Sequence, residues 1–415
     1  MRSREVVVIY LFLILLIISS LFLQPFSELV IGFKNIIIES DILISDYFEI
    51  GGFGASLLNS SLITLVSFIM MRVSKAEFNG MSLATLSLMF GFGLFGKNIV
   101  NIVPIMLGVY FYSIYAKERF SNVINIGLLA TSFSPIVTEI MFVINLPPII
   151  RIVLSLFIGV SVGFLITPVS RHLYNTHKGY NLYNVGFAIG LMSTLYVSMM
   201  KAFGFMSYQR LILSQGNNTK FGILLTFFFL VNFVYGYYLN GFTTGNLREL
   251  FQSSGYKTDF MEIYGSGTTY MNMGINGLIA LFYVVFIAKG SLNGPSIGGI
   301  LAVYGFGAVG KHWKNIAPIL LGVILGCIMN LWNAGDISSI FAALFGTALA
   351  PLVGRYGWLT GIIVSLINAT VLLNSGFLHG GMNLYNTGFS VGLVAAVVVP
   401  ILEFFVNIDK KTTLN

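Results

Sequence analysis

An all-α polytopic membrane bundle, built from two inverted repeats with discontinuous or re-entrant segments, is the fold class the sequence predicts. Composition is the first reason. Apolar residues make up 56% of the chain and charged residues 9%, with a mean hydropathy of +0.88. A soluble protein of 415 residues needs a charged surface that this chain cannot supply. Duplication is the second reason. Gly-Phe-Gly-Leu-Phe-Gly-Lys at 91–97 returns as Gly-Phe-Gly-Ala-Val-Gly-Lys at 305–311, and Asn-Ile-Val-Pro at 101–104 as Asn-Ile-Ala-Pro at 315–318. His177 to Asn184, ending in Asn-Leu-Tyr-Asn, returns as His379 to Asn386. Crossing parity is the third reason, and it follows from the segments themselves.

A spanning helix needs about 20 mostly apolar residues. Candidate segments are 6–23, 55–71, 81–96, 98–116, 122–144, 150–168, 181–200, 221–241, 266–288, 295–310, 316–331, 337–353, 357–375 and 383–404. The run at Met1 to Leu23 has a basic start but no small-residue cleavage site after it, so it reads as a retained first helix. Arg2 and Arg4 place the amino terminus in the cytoplasm, and Arg72, Lys75, Lys117, Arg119, Arg171, Lys178, Lys311, Lys314, Arg355, Lys410 and Lys411 then fall on the same side, with Asp336 outside. Lys97, Arg151, Lys201 and Lys289 oppose that bias. The chain divides into a first helix with an acidic external loop (1–50), a first repeat (51–200), and a linker with one helix (201–264). A second repeat (265–404) and a cytoplasmic tail (405–415) follow. Six segments per copy and one helix between them send the second copy in from the opposite side.

Two pairs of segments look broken. Gly91, Gly93 and Gly96 before Lys97 match Gly305, Gly307 and Gly310 before Lys311. Thr131 to Pro135 matches Thr347 to Pro351. Glycine loosens a helix and proline removes a donor, and non-helical backbone survives at membrane depth only inside protein or beside water. Short, interrupted segments at matching places in two halves are a pointer to a transport site. A dinucleotide fingerprint would need a strand before the glycines, a helix after them and an acid about 20 residues on, whereas here the element falls between two hydrophobic segments and Asn-Ile-x-Pro follows. The sequence therefore places Lys97 and Lys311 near the mouth of a pathway, with close helix packing as the alternative role for the glycines.

Asn181 and Asn184 share a face at a helix start, as do Asn383 and Asn386. Their amides, with Thr131 and Thr347 nearby, suit a small polar solute or an ion's oxygen shell. Capping of free N–H groups is the competing role. His177 and His379, in the interfacial region, are candidates for gating or proton coupling. So is Glu139, an intramembrane acid for which Arg151 is the expected partner. Nothing has metal-ligand spacing, no cofactor is implied, and the lone Cys327 reads as a packing residue. Lys and Arg flank apolar segments, which argues against nucleic acid.

Through Gly-Phe-Gly-x-x-Gly-Lys and Asn-Leu-Tyr-Asn-x-Gly-Phe, over roughly 51–200 and 265–404, the chain resembles a family of uncharacterised bacterial membrane proteins. A domain of unknown function occurs twice in them. That resemblance implies the bacterial cytoplasmic membrane. Gly179-Tyr180-Asn181 with Val185-Gly186 is also similar to a stretch of bacterial urea channels, themselves two inverted halves. Their Leu-Pro-x-x-Thr-x-Pro-Phe element is not reproduced, and Thr131–Pro135 and Thr347–Pro351 only echo it.

The expectation is a channel or secondary transporter for a small polar solute, amide-like or ionic, whose partners are that solute and the lipid bilayer. A homo-oligomer is compatible with it. The alternatives are a membrane enzyme on a lipid-linked substrate, disfavoured by few and dispersed acids, and a scaffold, for which paired asparagines are unnecessary.

Overall fold

The computed structural model describes residues 3–205 and 209–412, which carry helices throughout and no strand beyond one Ser45–Ile212 bridge. Arg2 lies outside the described residues, as do the side chains of Arg4, Lys410 and Lys411. The first half comprises α1 (Ser3–Ser20), α2 (Phe26–Ile38), α3 (Tyr47–Val73), α4 (Gly80–Phe92), α5 (Ile102–Tyr115), α6 (Phe120–Ala130), α7 (Pro135–Thr138), α8 (Pro148–Thr176) and α9 (Asn184–Ala202). The second comprises α10 (Asn218–Leu239), α11 (Gly245–Leu250), α12 (Phe260–Phe282), α13 (Gly294–Gly305), α14 (Trp313–Ile328), α15 (Ile337–Gly346), α16 (Ala350–Tyr356), α17 (Trp358–Leu373) and α18 (Asn386–Thr412). Among the described residues, seven helical stretches are long and apolar enough to cross a membrane, and α6 with α7, bent by 50°, makes an eighth where the pair is taken as one span. The chain is a multi-pass membrane protein. The predicted external loop at 24–50 is itself mostly helix, since α2 buries Leu29, Gly32 and Ile36 against α3.

The duplication is visible in local detail. Both α3 and α12 kink at a glycine with positive φ, Gly52 at 81° and Gly265 at 81°. Turn residues in the left-handed region also pair off: Lys75 with Lys289, Lys117 with Asn330, Lys178 with Gly380. The linker helix α10 packs on α12 as α1 packs on α3, so the helices that precede each copy occupy equivalent places.

The contact between α4 and α13 fixes how the copies are related. A methyl on Gly91 would stand 3.0 Å from Gly298 Cα, and one on Gly305 would stand 3.2 Å from Ala84 Cα. Gly91 and Gly305 are matching positions, and Ala84 and Gly298 each lie seven residues earlier. The end of each helix therefore meets the start of its twin. Equivalent helices packed antiparallel are related by a two-fold axis across them, which in a bilayer lies in the membrane plane. The repeat is inverted.

The same axis passes between α9 and α18. Gly186 meets Gly388, with a methyl on Gly388 only 2.9 Å from Gly186 Cα, and the rings of Tyr183 and Tyr385 face each other at 5.0 Å. Small residues permit this approach, as at helix pairs in lipid generally. Helix caps are exchanged across the axis as well. Asp46, the N-cap of α3, accepts from Gly294 N–H at the start of α13 (3.1 Å), and Asp259, the N-cap of α12, faces the N–H groups of Gly80 and Met81 at the start of α4. Leu182 N–H donates to Ala348 O (3.1 Å) and Leu384 N–H to Ser132 O (3.0 Å), again one bond in each direction.

Inversion makes matching turns face opposite compartments. With Cys327 replaced by serine, a cysteine at Lys117 and one at Asn330 should react with a membrane-impermeant maleimide from opposite sides of a sealed vesicle. Labelling of both from one side would contradict the axis.

Candidate functional site

The glycine-rich elements form buried breaks, and each is held by asparagines. After α4 the chain turns through Gly96 at φ 83°, and after α13 through Gly310 at φ 87°. Residues 91–98 and 305–312 are buried throughout. Their carbonyls cannot bond to water and must be satisfied by protein. Asn59 Nδ2 donates to Gly93 O and Lys97 O, both at 2.8 Å. Asn272 Nδ2 donates to Gly307 O at 2.7 Å and Lys311 O at 2.8 Å, the same bonds in the other copy. Asn101 Nδ2 reaches Gly96 O (3.1 Å) and Asn315 Nδ2 reaches Gly310 O (2.8 Å). Asn59 and Asn272 were not singled out from the sequence, although two polar residues at matching places on apolar helices were the available signal.

Lys97 and Lys311 are corrected from the mouth of a pathway to the interior. Both are 0% exposed. Lys311 Nζ donates to Tyr183 Oη (2.6 Å) and stands 4.5 Å from that ring's centroid and 5.1 Å from that of Phe306. Lys97 Nζ instead donates to Leu128 O (3.2 Å), contacts Met89 Sδ and lies 5.0 Å from the Phe92 ring. It leaves Tyr385, the twin of Tyr183, with a buried hydroxyl that has no partner. The ion pairs among the described residues are Arg171–Glu118, Lys178–Glu403 and Arg210–Glu39, so neither buried lysine has a carboxylate.

A cavity of about 390 Å³ lies at the two-fold axis. It opens at the face carrying Lys257 and Tyr174 and ends on Tyr183, Tyr385 and Phe306. Asn181, Asn184 and Gly186 at the start of α9 line one wall. The equivalent space on the other side of the axis is filled. Phe341 lies 6.0 Å from Phe95 and 5.2 Å from Phe345, and Phe345 stacks on Phe92 at 5.9 Å. The positions matching Phe95, Phe341 and Phe345 are Val309, Asn125 and Leu129, all on the cavity wall. Smaller residues in one copy leave open what three phenylalanines close in the other.

The predicted polar residues divide. Asn181 Oδ1 accepts from Tyr183 N–H (2.7 Å), while its Nδ2 is buried without a partner and the residue lines the cavity. Asn383 repeats this, accepting from Tyr385 N–H (2.9 Å) with Nδ2 unpartnered, but on the filled side. Asn184 is structural as well as a wall residue, donating to Ser170 O (2.9 Å) and pairing with His177 Nε2 (2.9 Å). Asn386 pairs with His379 Nε2 (2.7 Å). These histidines are not interfacial. Both are fully buried, and because the Asn184 amide donates to Ser170 O, its oxygen faces His177, whose Nε2 donates and whose Nδ1 accepts from Gly179 N–H (3.2 Å). They hold the helix starts. Thr131 and Thr347 also turn inward, bonding Leu128 O (2.6 Å) and Leu344 O (2.5 Å), and neither lines the cavity.

Glu139 lies away from the cavity, taking a hydrogen bond from Ser40 Oγ (2.8 Å), and Arg151 turns to Phe142 O rather than to it. The acid the sequence passed over is Asp41. It reads as part of an external loop, yet it is 1% exposed and accepts from Tyr47 Oη (2.5 Å), Thr138 Oγ1 (2.6 Å), Asn101 Nδ2 (2.9 Å) and Asn98 Nδ2 (3.3 Å). Four donors on one carboxylate tie the break at 96–101 to α3 and α7. Outside the membrane, hydrogen bonding to Arg171 holds the Glu118 carboxyl below its usual range, and Tyr256 raises Lys257, at the cavity rim, above the usual lysine value.

Residues 26–202 and again 236–404 match the family described as a protein of unknown function (DUF1576). The chain belongs to the DUF1576 family. No curated protein and no solved structure matches it. The two DUF1576 stretches begin at α2 and at the end of α10, upstream of the 51 and 265 read from the motifs, and so take in Asp41.

Asn59→Leu removes the donor shared by Gly93 O and Lys97 O at constant bulk. It should destabilise the folded protein by about 2–4 kcal/mol, since each stranded buried acceptor costs roughly 1–3. Reversible unfolding in mixed micelles of dodecyl sulfate and maltoside measures this.

Proposed function

We propose that this chain is a secondary transporter for a small polar solute, moved between its two inverted repeats. The observation that carries the proposal is the cavity on the two-fold axis, open at one face, closed at the other, with a free Asn181 amide at its end. Substrate sites between inverted repeats, at discontinuous helices near the midplane, are a recurring transporter plan. The charge flanks read from the sequence put the Lys257 face in the cytoplasm, with both termini there. The membrane is a cytoplasmic membrane, and the state described is open inward.

Alternation is what favours a carrier over a channel. Two inverted copies in unequal conformations can exchange roles, which turns the site from one face to the other. The unequal pair here is Lys311 bonded to Tyr183 and Lys97 turned from Tyr385. In the outward state Lys97 engages Tyr385, Phe341 parts from Phe95 and Phe345 from Phe92, and Asn383 faces the outer compartment. Transport is passive or ion-coupled.

Purified protein in liposomes should therefore conduct saturable uptake of at least one solute among small amides, polyols, ammonium and monovalent ions. The Asn181→Ala, Asn383→Ala double variant should lower that flux about tenfold or more, the worth of one good hydrogen bond to solute. Undiminished flux in a folded double variant would remove these amides from the pathway. In single-cysteine protein, Asn125→Cys should label from the cytoplasmic side, and Phe341→Cys should become reactive only when solute is cycling.

A further inference from the structure

We infer that the solute is a small anion, held between the amino-terminal end of α9 and the Tyr183–Lys311 pair. The inference rests on the transport reading and names its substrate class. Four observations converge on the end of the cavity.

The first is the helix start. Asn184 and Gly186 line the cavity, and the first N–H groups of a helix have no partner within it. Those N–H groups and the aligned peptide dipoles make a helix start favourable to negative charge. The second is Asn181, 2% exposed, whose Nδ2 has no acceptor in the protein. Its orientation is fixed, because Oδ1 is committed to Tyr183 N–H. What Asn181 leaves unsatisfied behind the cavity wall is a donor, and a donor asks for an acceptor.

The third is Lys311. A buried ammonium is costly unless paired, and within a membrane an unpaired lysine marks function. Its Nζ is held over the Tyr183 and Phe306 rings and donates to Tyr183 Oη, and those two rings form the end of the cavity. An anion there would stand where the missing counter-ion belongs. Lys311 acts through Tyr183 and is a positioning residue.

The fourth is the balance of charge on the wall. Lys257 is cationic at the rim. The one carboxylate, Asp259, is engaged by N–H groups at two helix starts, those of α12 and α4, so its charge is directed away from the solute. A cation would meet an arrangement of donors, and a neutral amide would bring no charge to hold the buried lysine in its ammonium form.

Isosteric pairs separate charge from shape. Uptake into proteoliposomes would be compared for methanesulfonate, formate and lactate against methanesulfonamide, formamide and lactamide. At least one anion should cross about tenfold faster than its neutral partner. Asn181→Asp keeps the acceptor for Tyr183 N–H and removes the donor, and it should cut anion uptake about tenfold with a smaller effect on any amide that crosses. Lys311→Met should do the same, with Lys311→Arg restoring anion preference. Should Lys311→Met fail to fold, Asn181→Asp carries the test.

Passage of amides without anions, equal loss of both in the Asn181→Asp variant, or unchanged anion uptake there would overturn the inference. In the first of these cases transport itself would stand. Passage of neither panel, nor of polyols or ammonium, would bring down the transport reading and the anion with it.

Discussion

Lipid offers no hydrogen bonds, and the structure is arranged around that fact. A chain that stops being helical inside a bilayer must bring its own donors to every freed carbonyl. The asparagines at 59 and 272 do this on the helices beside each break, while Asn101 and Asn315 do it from within. With these bonds in place, α4 and α13 can end deep in the protein and their glycines can meet across the two-fold axis. Without them neither the close helix contact nor the burial of the lysines that follow would be tolerable.

The axis sets what the two halves share, and side-chain size sets where they differ. Backbone features obey the symmetry closely, down to left-handed turn residues and exchanged caps. The cavity does not. Phe95, Phe341 and Phe345 close one side, and Val309, Asn125 and Leu129 leave the other open. The proposed transport rests on this departure, since a site closed on both sides or open on both could not turn a solute from one face to the other.

Much of the fold was legible in the sequence because duplication and hydrophobic length survive translation into one dimension. The segments at 81–96 and 295–310 were read as broken from their glycines, and they are. The inverted relation follows from six segments per copy and one helix between them, an odd number before the second copy begins. The site was less legible for a definite reason. Lysines that follow a glycine-rich break look terminal, because charged residues usually mark the end of a span; here the chain turns inside the protein and takes them with it. Histidines before a helix look interfacial for the same reason, yet His177 and His379 serve the asparagines seven residues on. Asp41 sat among other acids in what reads as a loop, and only packing separates it from Glu39, which pairs with Arg210. Asn181 and Asn184 could be named as a pair, but not told apart, since spacing says nothing about which amide is already bonded.

The exchanged caps bear on how the molecule is made. Asp46 is synthesised long before Gly294, and the first turn of α4 emerges from the ribosome well ahead of Asp259. The Gly80 and Met81 N–H groups at the start of α4 therefore gain their carboxylate only with the late half, while Asn79 caps the same helix from within the early one. Each half supplies acceptors to the other, so cutting the gene in two would strand the Gly80 and Met81 N–H groups of α4 and the Gly294 N–H of α13, which the Asn79 and Asn293 caps do not satisfy.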